Sequence, residues 1–144
     1  MEAIVIGAGL AGSEAALQLA KRNIKVKLYE MRPNKQTGAH KTEACAEFVC
    51  SNSLGSSDIT NASGLLKKEM EILGGELIKI ALDNSVPAGN ALAIAREDFS
   101  KAVTQRIEND ANIELIRKEI DKIPDGNVII ASGPLPSGPT SKQR

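Results

Sequence analysis

Aromatic side chains are almost missing from this chain: no Trp, one Tyr and two Phe occur in 144 residues. A core must therefore be assembled from Ile, Leu, Val and Ala, the usual filling of buried parallel sheets. Long apolar runs are missing too. None approaches the ~18 residues of a membrane-spanning helix, which excludes a helical span. Neither sign of charge is in excess, with 18 basic against 18 acidic residues, and no strong nucleic-acid field is implied. Cysteine is scarce. Two residues are too few for a disulfide scaffold and point to free thiols in a reducing compartment. The first apolar strand starts at residue 3, which leaves no room for a signal peptide. A soluble, cytoplasmic protein is expected, and the length suits one domain with a proper core.

What is present is concentrated between Ala3 and Glu30. The apolar, β-branched run Ala3–Ile6 reads as a buried parallel strand. Gly7-Ala8-Gly9-Leu10-Ala11-Gly12 follows at once, and Ser13–Arg22 reads as a helix with Ala15, Ala16, Leu19 and Ala20 on one face. A second strand, Ile24–Tyr29, alternates and ends on Glu30. Each part of this order has a physical task in holding a dinucleotide. Gly7 permits the tight strand-to-helix turn, Gly9 lets a pyrophosphate reach the backbone, and Gly12 lets the helix pack close to the strand. The helix N-terminus offers N–H groups to the phosphates. Glu30, eighteen positions after Gly12, can accept hydrogen bonds from a ribose hydroxyl. An acid there suits an unphosphorylated ribose, so FAD or NAD is preferred to NADP. The bland alternative is a βαβ unit that binds nothing.

Beyond Glu30 the chain changes character. Residues 31–60 are polar, broken by Pro33, Gly38 and Gly55, and form a connection long enough to suggest a functional loop. Helices are predicted over Asn61–Leu73, Glu76–Leu82 and Glu97–Asn109, the last with Phe99, Ala102, Val103 and Ile107 on one side. Strands are predicted at Ala91–Ile94, at Ile113–Ile120 and at Val128–Ala131, the last as a buried strand. Gly133, after that last strand, allows close backbone approach to a cofactor; an ordinary strand-end turn is the alternative. Residues 136–144 show no periodicity and read as a disordered tail. Strands alternating with helices give an α/β fold with a largely parallel but incomplete sheet, Rossmann-like and suited to FAD or NAD(P). The sheet is short for such a fold, as a fragment's would be.

A more specific signal lies in Met31-Arg32-Pro33, Thr37, Ala39-His40, Thr42 and the run Ala46-Glu47-Phe48-Val49-Cys50-Ser51-Asn52-Ser53-Leu54. With GAGLAGSEAA, Thr60–Leu66 and Val86-Pro87-Ala88-Gly89, these resemble the folate- and FAD-dependent tRNA (uracil-5-)-methyltransferases, from residue 3 to about Leu135. Two positions depart from that family's pattern: Gly38 stands where proline is usual, and Cys45 where an aromatic residue is usual. The family's members are also much longer, which puts activity of this chain by itself in doubt. The resemblance implies FAD as cofactor, NAD(P)H as reductant, 5,10-methylenetetrahydrofolate as one-carbon donor and tRNA as substrate. It also implies that a methyl group is attached to C5 of the T-loop uridine. Uracil C5 is a poor nucleophile until a thiolate adds at C6, so such an enzyme needs a reactive cysteine near the flavin.

Cys50 matches the family's functional cysteine, and Ser51 and Ser53 are candidate hydrogen-bond donors to its thiolate. The alternative is a buried cysteine serving as a small hydrophobe. Cys45 has no match and reads as a loop or core residue. His40, Cys45 and Cys50, at five-residue intervals, fit no usual zinc pattern, and a Cys45–Cys50 disulfide does not suit a reducing compartment. His40 is a candidate acid or base, or a residue that hydrogen-bonds within its loop. Lys21, Arg22, Lys25 and Lys27 read as a solvated face rather than an RNA contact. Beside the methyltransferase reading stand a generic FAD or NAD oxidoreductase, an rRNA-methylating relative, and a non-catalytic nucleotide-binding fragment.

Overall fold

A computed structural model describes residues 1–133, so the predicted tail at 136–144 lies outside the described residues. The elements in order are β1 (Glu2–Ile6), α1 (Leu10–Lys21), β2 (Lys25–Tyr29), β3 (Ser53–Ser56), α2 (Ala62–Ile72), α3 (Glu76–Asp83), β4 (Ser85–Val86), β5 (Ala91–Ile94), α4 (Arg96–Glu108), β6 (Ile113–Ile116) and β7 (Val128–Ile130). β6, β2, β1 and β7 form one sheet in that order, and every neighbouring pair is parallel. A right-handed crossover through α1 is the expected way to join β1 to β2, and Ala3, Val5 and Ile6 of β1 with Val26 and Leu28 of β2 are the buried positions of these two strands.

Both ends of α1 are set locally. Gly7 adopts φ +99° at the entry, and Asn23 closes the helix at φ +60°, donating its N–H to the Ala20 carbonyl at 2.9 Å. A short polar side chain tolerates that left-handed conformation. Gly12 sits where the helix crosses the strand: a Cβ added there would lie 1.8 Å from the Gly7 carbonyl oxygen. No side chain larger than hydrogen fits that crossing.

The core is aliphatic, as the composition requires. Ala16 and Leu17 of α1 cluster with Val5, Val26 and Leu28 of the sheet, and Leu77, Ala81, Phe99, Val103 and Ile107 of α3 and α4 join them. Glu14 fixes α3 to α1 by accepting the N–H groups of Glu76 and Leu77 at 3.0 and 2.8 Å, the donors a helix start leaves unpaired.

Five features go beyond the sequence expectation or differ from it. The predicted loop 31–60 contains a strand, β3, which pairs antiparallel with β5 in a second sheet of order β3-β5-β4. Its sequence, SLGS, carries no β-branched residue, and its partner creates the strand. The middle of the same loop is core rather than surface. Cys45 and Ala46 are fully buried, Ala46 N–H donates to the Ala8 carbonyl, Cys45 N–H donates to Thr104 Oγ1, and Phe48 meets Phe99 edge-on at 5.3 Å. The β7 segment, expected to be buried, is an exposed edge, with Ile129 and Ile130 39% and 47% accessible, because β1 covers one side only. In α2 only Gly64 is buried, while Leu65, Leu66 and Ile72 face outward with the neighbouring Leu73. Strand β6 also ends at Ile116, four residues before the predicted end at Ile120, and the chain leaves the sheet there to line a cavity.

Candidate functional site

At the C-terminal ends of β1, β2 and β7 the surface folds into a cavity of about 340 Å³. Its wall is formed by Gly7, Gly9 and Leu10 from the glycine turn, Glu30–Arg32 after β2, and Ser132–Gly133 after β7. Thr37, His40, Glu47 and Val49 close one side and Lys118–Ile120 with Ile123 another. Ligands of open parallel sheets bind in this position, outside the carboxyl ends of the strands.

Gly7 makes the tight turn and Gly12 the close helix crossing that their spacing predicts. Gly7 is in the left-handed region, and a Cβ there would lie 2.6 Å from the Ala131 carbonyl oxygen, so the turn also passes tightly beneath the end of β7. Gly9 caps α1 with extended backbone, no side chain caps that first turn, and a Cβ on Gly9 would meet no atom within 4 Å. The turn thus presents bare backbone to open space. Leu10 shares the lining, whereas the buried Ala8 and Gly12 and the exposed Ala11 are not part of it. Ala8 is fully buried, and its N–H is directed to Glu30 rather than into the cavity. Gly133 has φ +69° and lines the far wall.

Glu30 is buried, and its carboxylate accepts four hydrogen bonds from the chain itself. Oε1 accepts from Arg32 N–H at 3.0 Å and Arg32 Nε at 2.9 Å; Oε2 accepts from Ala8 N–H at 3.0 Å and Arg32 Nη2 at 3.2 Å. Burial alone would push the Glu30 carboxyl up, but the hydrogen bonds and charge of Arg32, with the Ala8 N–H, hold it below the usual carboxylate range. Arg32 is itself 2% exposed and reaches a second acid, donating from Nη1 to Glu47 Oε2 at 2.8 Å and to the Thr42 carbonyl at 3.3 Å. Glu47 in turn accepts the N–H groups of Lys41 and Thr42 at 3.0 and 3.2 Å. Desolvation works against its charge, and these backbone donors and Arg32 bring its pKa below the ordinary value.

His40 sits in the lining with Nδ1 2.6 Å from Thr37 Oγ1, so it is both a cavity residue and bonded within its loop. Burial, joined by the Arg32 charge, lowers its pKa and favours the neutral ring. Cys50 is exposed and follows Val49, the last loop residue in the lining. Ser51 Oγ donates to the Ser53 carbonyl at 3.4 Å, and Ser53 Oγ accepts from Gly55 N–H at 3.1 Å. These contacts engage the local turn. Cys45 is a core residue whose thiol is pushed up to about 11 by burial, which makes it inert at neutral pH. Both cysteines are free.

Away from the cavity, Lys21 pairs with Glu76 at 2.9 Å and Lys27 with Glu2 at 3.0 Å, while Arg22 and Lys25 bond to nearby carbonyls. They form the solvated face expected of them. Among the described residues no group of three or more His, Cys, Asp or Glu is placed to hold a metal, and no helix is long and apolar enough to cross a membrane.

Residues 2–140 match the family described as glucose inhibited division protein A. The chain belongs to that family. Two relatives carry the name methylenetetrahydrofolate–tRNA-(uracil-5-)-methyltransferase TrmFO. That of Anoxybacillus flavithermus is 58% identical over 143 residues, 99% of this chain and 33% of the relative. That of Fusobacterium nucleatum is 60% identical over 137 residues, 94% of this chain and 32% of the relative. The chain therefore spans about a third of the length of the curated relatives it matches. A solved structure of the family, Aquifex aeolicus GidA, superimposes with a TM-score of 0.66 at 20% identity, over 86% of this chain and 21% of that one. This likeness establishes the fold as that of the glucose inhibited division protein A family, an α/β architecture with a Rossmann-like parallel sheet.

Two residues of the site carried no assigned role in the sequence reading. Arg32 and Glu47 were visible only as letters in the motif stretches, because an ion pair fifteen residues apart leaves no periodic trace. The lining residues Lys118, Glu119 and Ile120 fall at the end of a predicted strand, and Ile123 lies beyond it, so neither the strand pattern nor the spacing marks them.

Proposed function

We propose that residues 1–135 are the N-terminal part of an FAD-binding domain, with residues 31–60 as its active-site loop, in a folate- and FAD-dependent tRNA (uracil-5-)-methyltransferase. The observation that carries this reading is the cavity in which Gly7, Gly9, Leu10, Glu30 and Gly133 meet and whose side wall runs directly into Cys50. The cavity's residues fit the adenosine and pyrophosphate end of FAD. Gly9 offers backbone without a side chain, the start of α1 carries no side-chain cap, and Leu10, Ile120, Ile123 and Ile130 give apolar walls. Glu30 stands where a ribose hydroxyl would seek an acceptor.

Bound FAD would supply the redox chemistry, with NAD(P)H as reductant and 5,10-methylenetetrahydrofolate as carbon donor, by which the transferred unit becomes a methyl group. This chain's own contribution is to hold the nucleotide end and to present the Cys50 thiol. As thiolate, Cys50 adds to C6 of the uracil ring, or shares that task with a cysteine of the longer enzyme, and so makes C5 nucleophilic. The product is ribothymidine in the tRNA T-loop, made in the cytoplasm. The isoalloxazine and RNA-binding surfaces belong to the remainder of the longer protein, and the 144-residue chain alone does not turn over.

The test uses the longer enzyme containing this segment, assayed with unmodified tRNA and, separately, rRNA. Cys50→Ala should retain the flavin absorbance and lose ribothymidine formation on tRNA. Undiminished methylation would return Cys50 to a packing role, and methylation of rRNA alone would change the substrate.

A further inference from the structure

Arg32 joins two parts of the site that the sequence treats separately. Its guanidinium forks onto both oxygens of Glu30 at 2.9 and 3.2 Å, while Nη1 turns the other way to Glu47 at 2.8 Å. Glu47 gathers the backbone of Lys41 and Thr42, and it lies three residues before Cys50. Arg117, after β6, clasps the same assembly by donating to the carbonyls of Arg32 and Glu43. An arginine 2% exposed between two carboxylates exchanges its hydration for these contacts and is fixed by them.

The fork also determines what a ribose would meet. A carboxylate offers about four acceptor directions, and Glu30 already fills four. The longest of these bonds is the one from Arg32 Nη2, at 3.2 Å, so a ribose hydroxyl competes most cheaply at Oε2, beside the glycine turn. The other arm, to Glu47, holds the guanidinium in place when that bond is shared.

We propose that Arg32 is a positioning residue for both ends of the site: it aims the Glu30 carboxylate at the ribose of a bound dinucleotide, and through Glu47 it anchors the loop that presents Cys50. This assignment rests on the FAD reading above for its first half and on the hydrogen bonds of the chain itself for its second. Lysine cannot replace it, since a single ammonium reaches one carboxylate or the other without forking.

The experiment follows FAD binding and the iodoacetamide alkylation rate of Cys50 in the 144-residue chain, below its melting temperature, with Arg32→Lys and Glu47→Gln beside the unsubstituted protein. Arg32→Lys should weaken FAD binding by about tenfold or more and speed alkylation by about threefold or more. Glu47→Gln keeps the Glu30 fork but loses one of the two oxygens that receive the Lys41, Thr42 and Arg32 donors, so it should speed alkylation by about threefold or more and weaken FAD binding by less than Arg32→Lys does. A residue with a merely structural role would move both readouts together in both variants. Unchanged alkylation in both variants, or unchanged FAD affinity in Arg32→Lys of a chain that binds FAD, overturns the assignment. If the unsubstituted chain binds no FAD, the dinucleotide reading fails, and alkylation alone decides the role of Arg32 on the loop.

Discussion

Gly12 and Gly7 are in contact through the space a side chain would need: a Cβ on Gly12 would sit 1.8 Å from the Gly7 carbonyl oxygen and 3.2 Å from Ala131 Cβ. The first of these is backbone and cannot swing aside. Gly12→Ala should therefore force α1 off the sheet and cost about 3 kcal/mol of stability or more. Thermal unfolding of the variant checks this, and an unchanged melting temperature would mean that the helix seats differently.

The two thiols should separate by reactivity. Cys45 is buried with its thiol pushed up to about 11, while Cys50 is exposed. In the native chain at pH 7.5, mass spectrometry after alkylation should find the label on Cys50, and on Cys45 only after denaturation. Equal native labelling would contradict the core placement of Cys45.

Acid should loosen the Glu30–Arg32–Glu47 assembly. The folded pKa of Glu30 is lowered, since Arg32 and Ala8 overcome the opposing effect of burial. Its contribution is thus fully present above the unfolded carboxyl value, about 4.3, and is lost as pH falls through the lower folded value. Glu47 acts with the same sign. Stability measured by denaturant titration should fall below about pH 4.3, and Glu30→Gln should flatten that acid limb. An acid limb unaltered by Glu30→Gln would show that the carboxylate titrates alike in both states.

The exposed apolar groups of α2 and β7 predict self-association. Leu66, Ile72 and Leu73 are 56%, 75% and 81% accessible, and Ile130 on the sheet edge is 47% accessible. Light scattering should show concentration-dependent association, reduced by Leu66→Glu with Leu73→Lys and without loss of the folded circular dichroism signal. A strictly monomeric wild-type chain would remove this expectation.

The part of the fold that local pattern determines was legible in advance. The β1–α1–β2 unit, the glycine turn and the amphipathic face of α4 follow from residues within a few positions of one another, and Phe99, Val103 and Ile107 are buried as their spacing requires. What was illegible depends on distant partners. Strand β3 exists because β5 lies beside it, Cys45 and Ala46 are core because α4 and the glycine turn close over them, and α2 is exposed despite its leucines. In the site, the glycines and Glu30 announced themselves by spacing, whereas Arg32 acquired a role only when Glu47 was folded against it.

The most direct test is a titration of FAD into the 144-residue chain and its Gly9→Val variant, read by flavin fluorescence alongside the melting temperature. Gly9 has extended backbone at φ −71°, and a Cβ there meets nothing within 4 Å, so valine fits the protein and intrudes only on what the cavity holds. The predicted result is that the unsubstituted chain binds FAD, weakly for want of the isoalloxazine half of the site. Gly9→Val should lose that binding by about tenfold or more with its melting temperature unchanged. Equal binding by the two proteins, or none by either, would contradict the assignment of this glycine turn as a dinucleotide site.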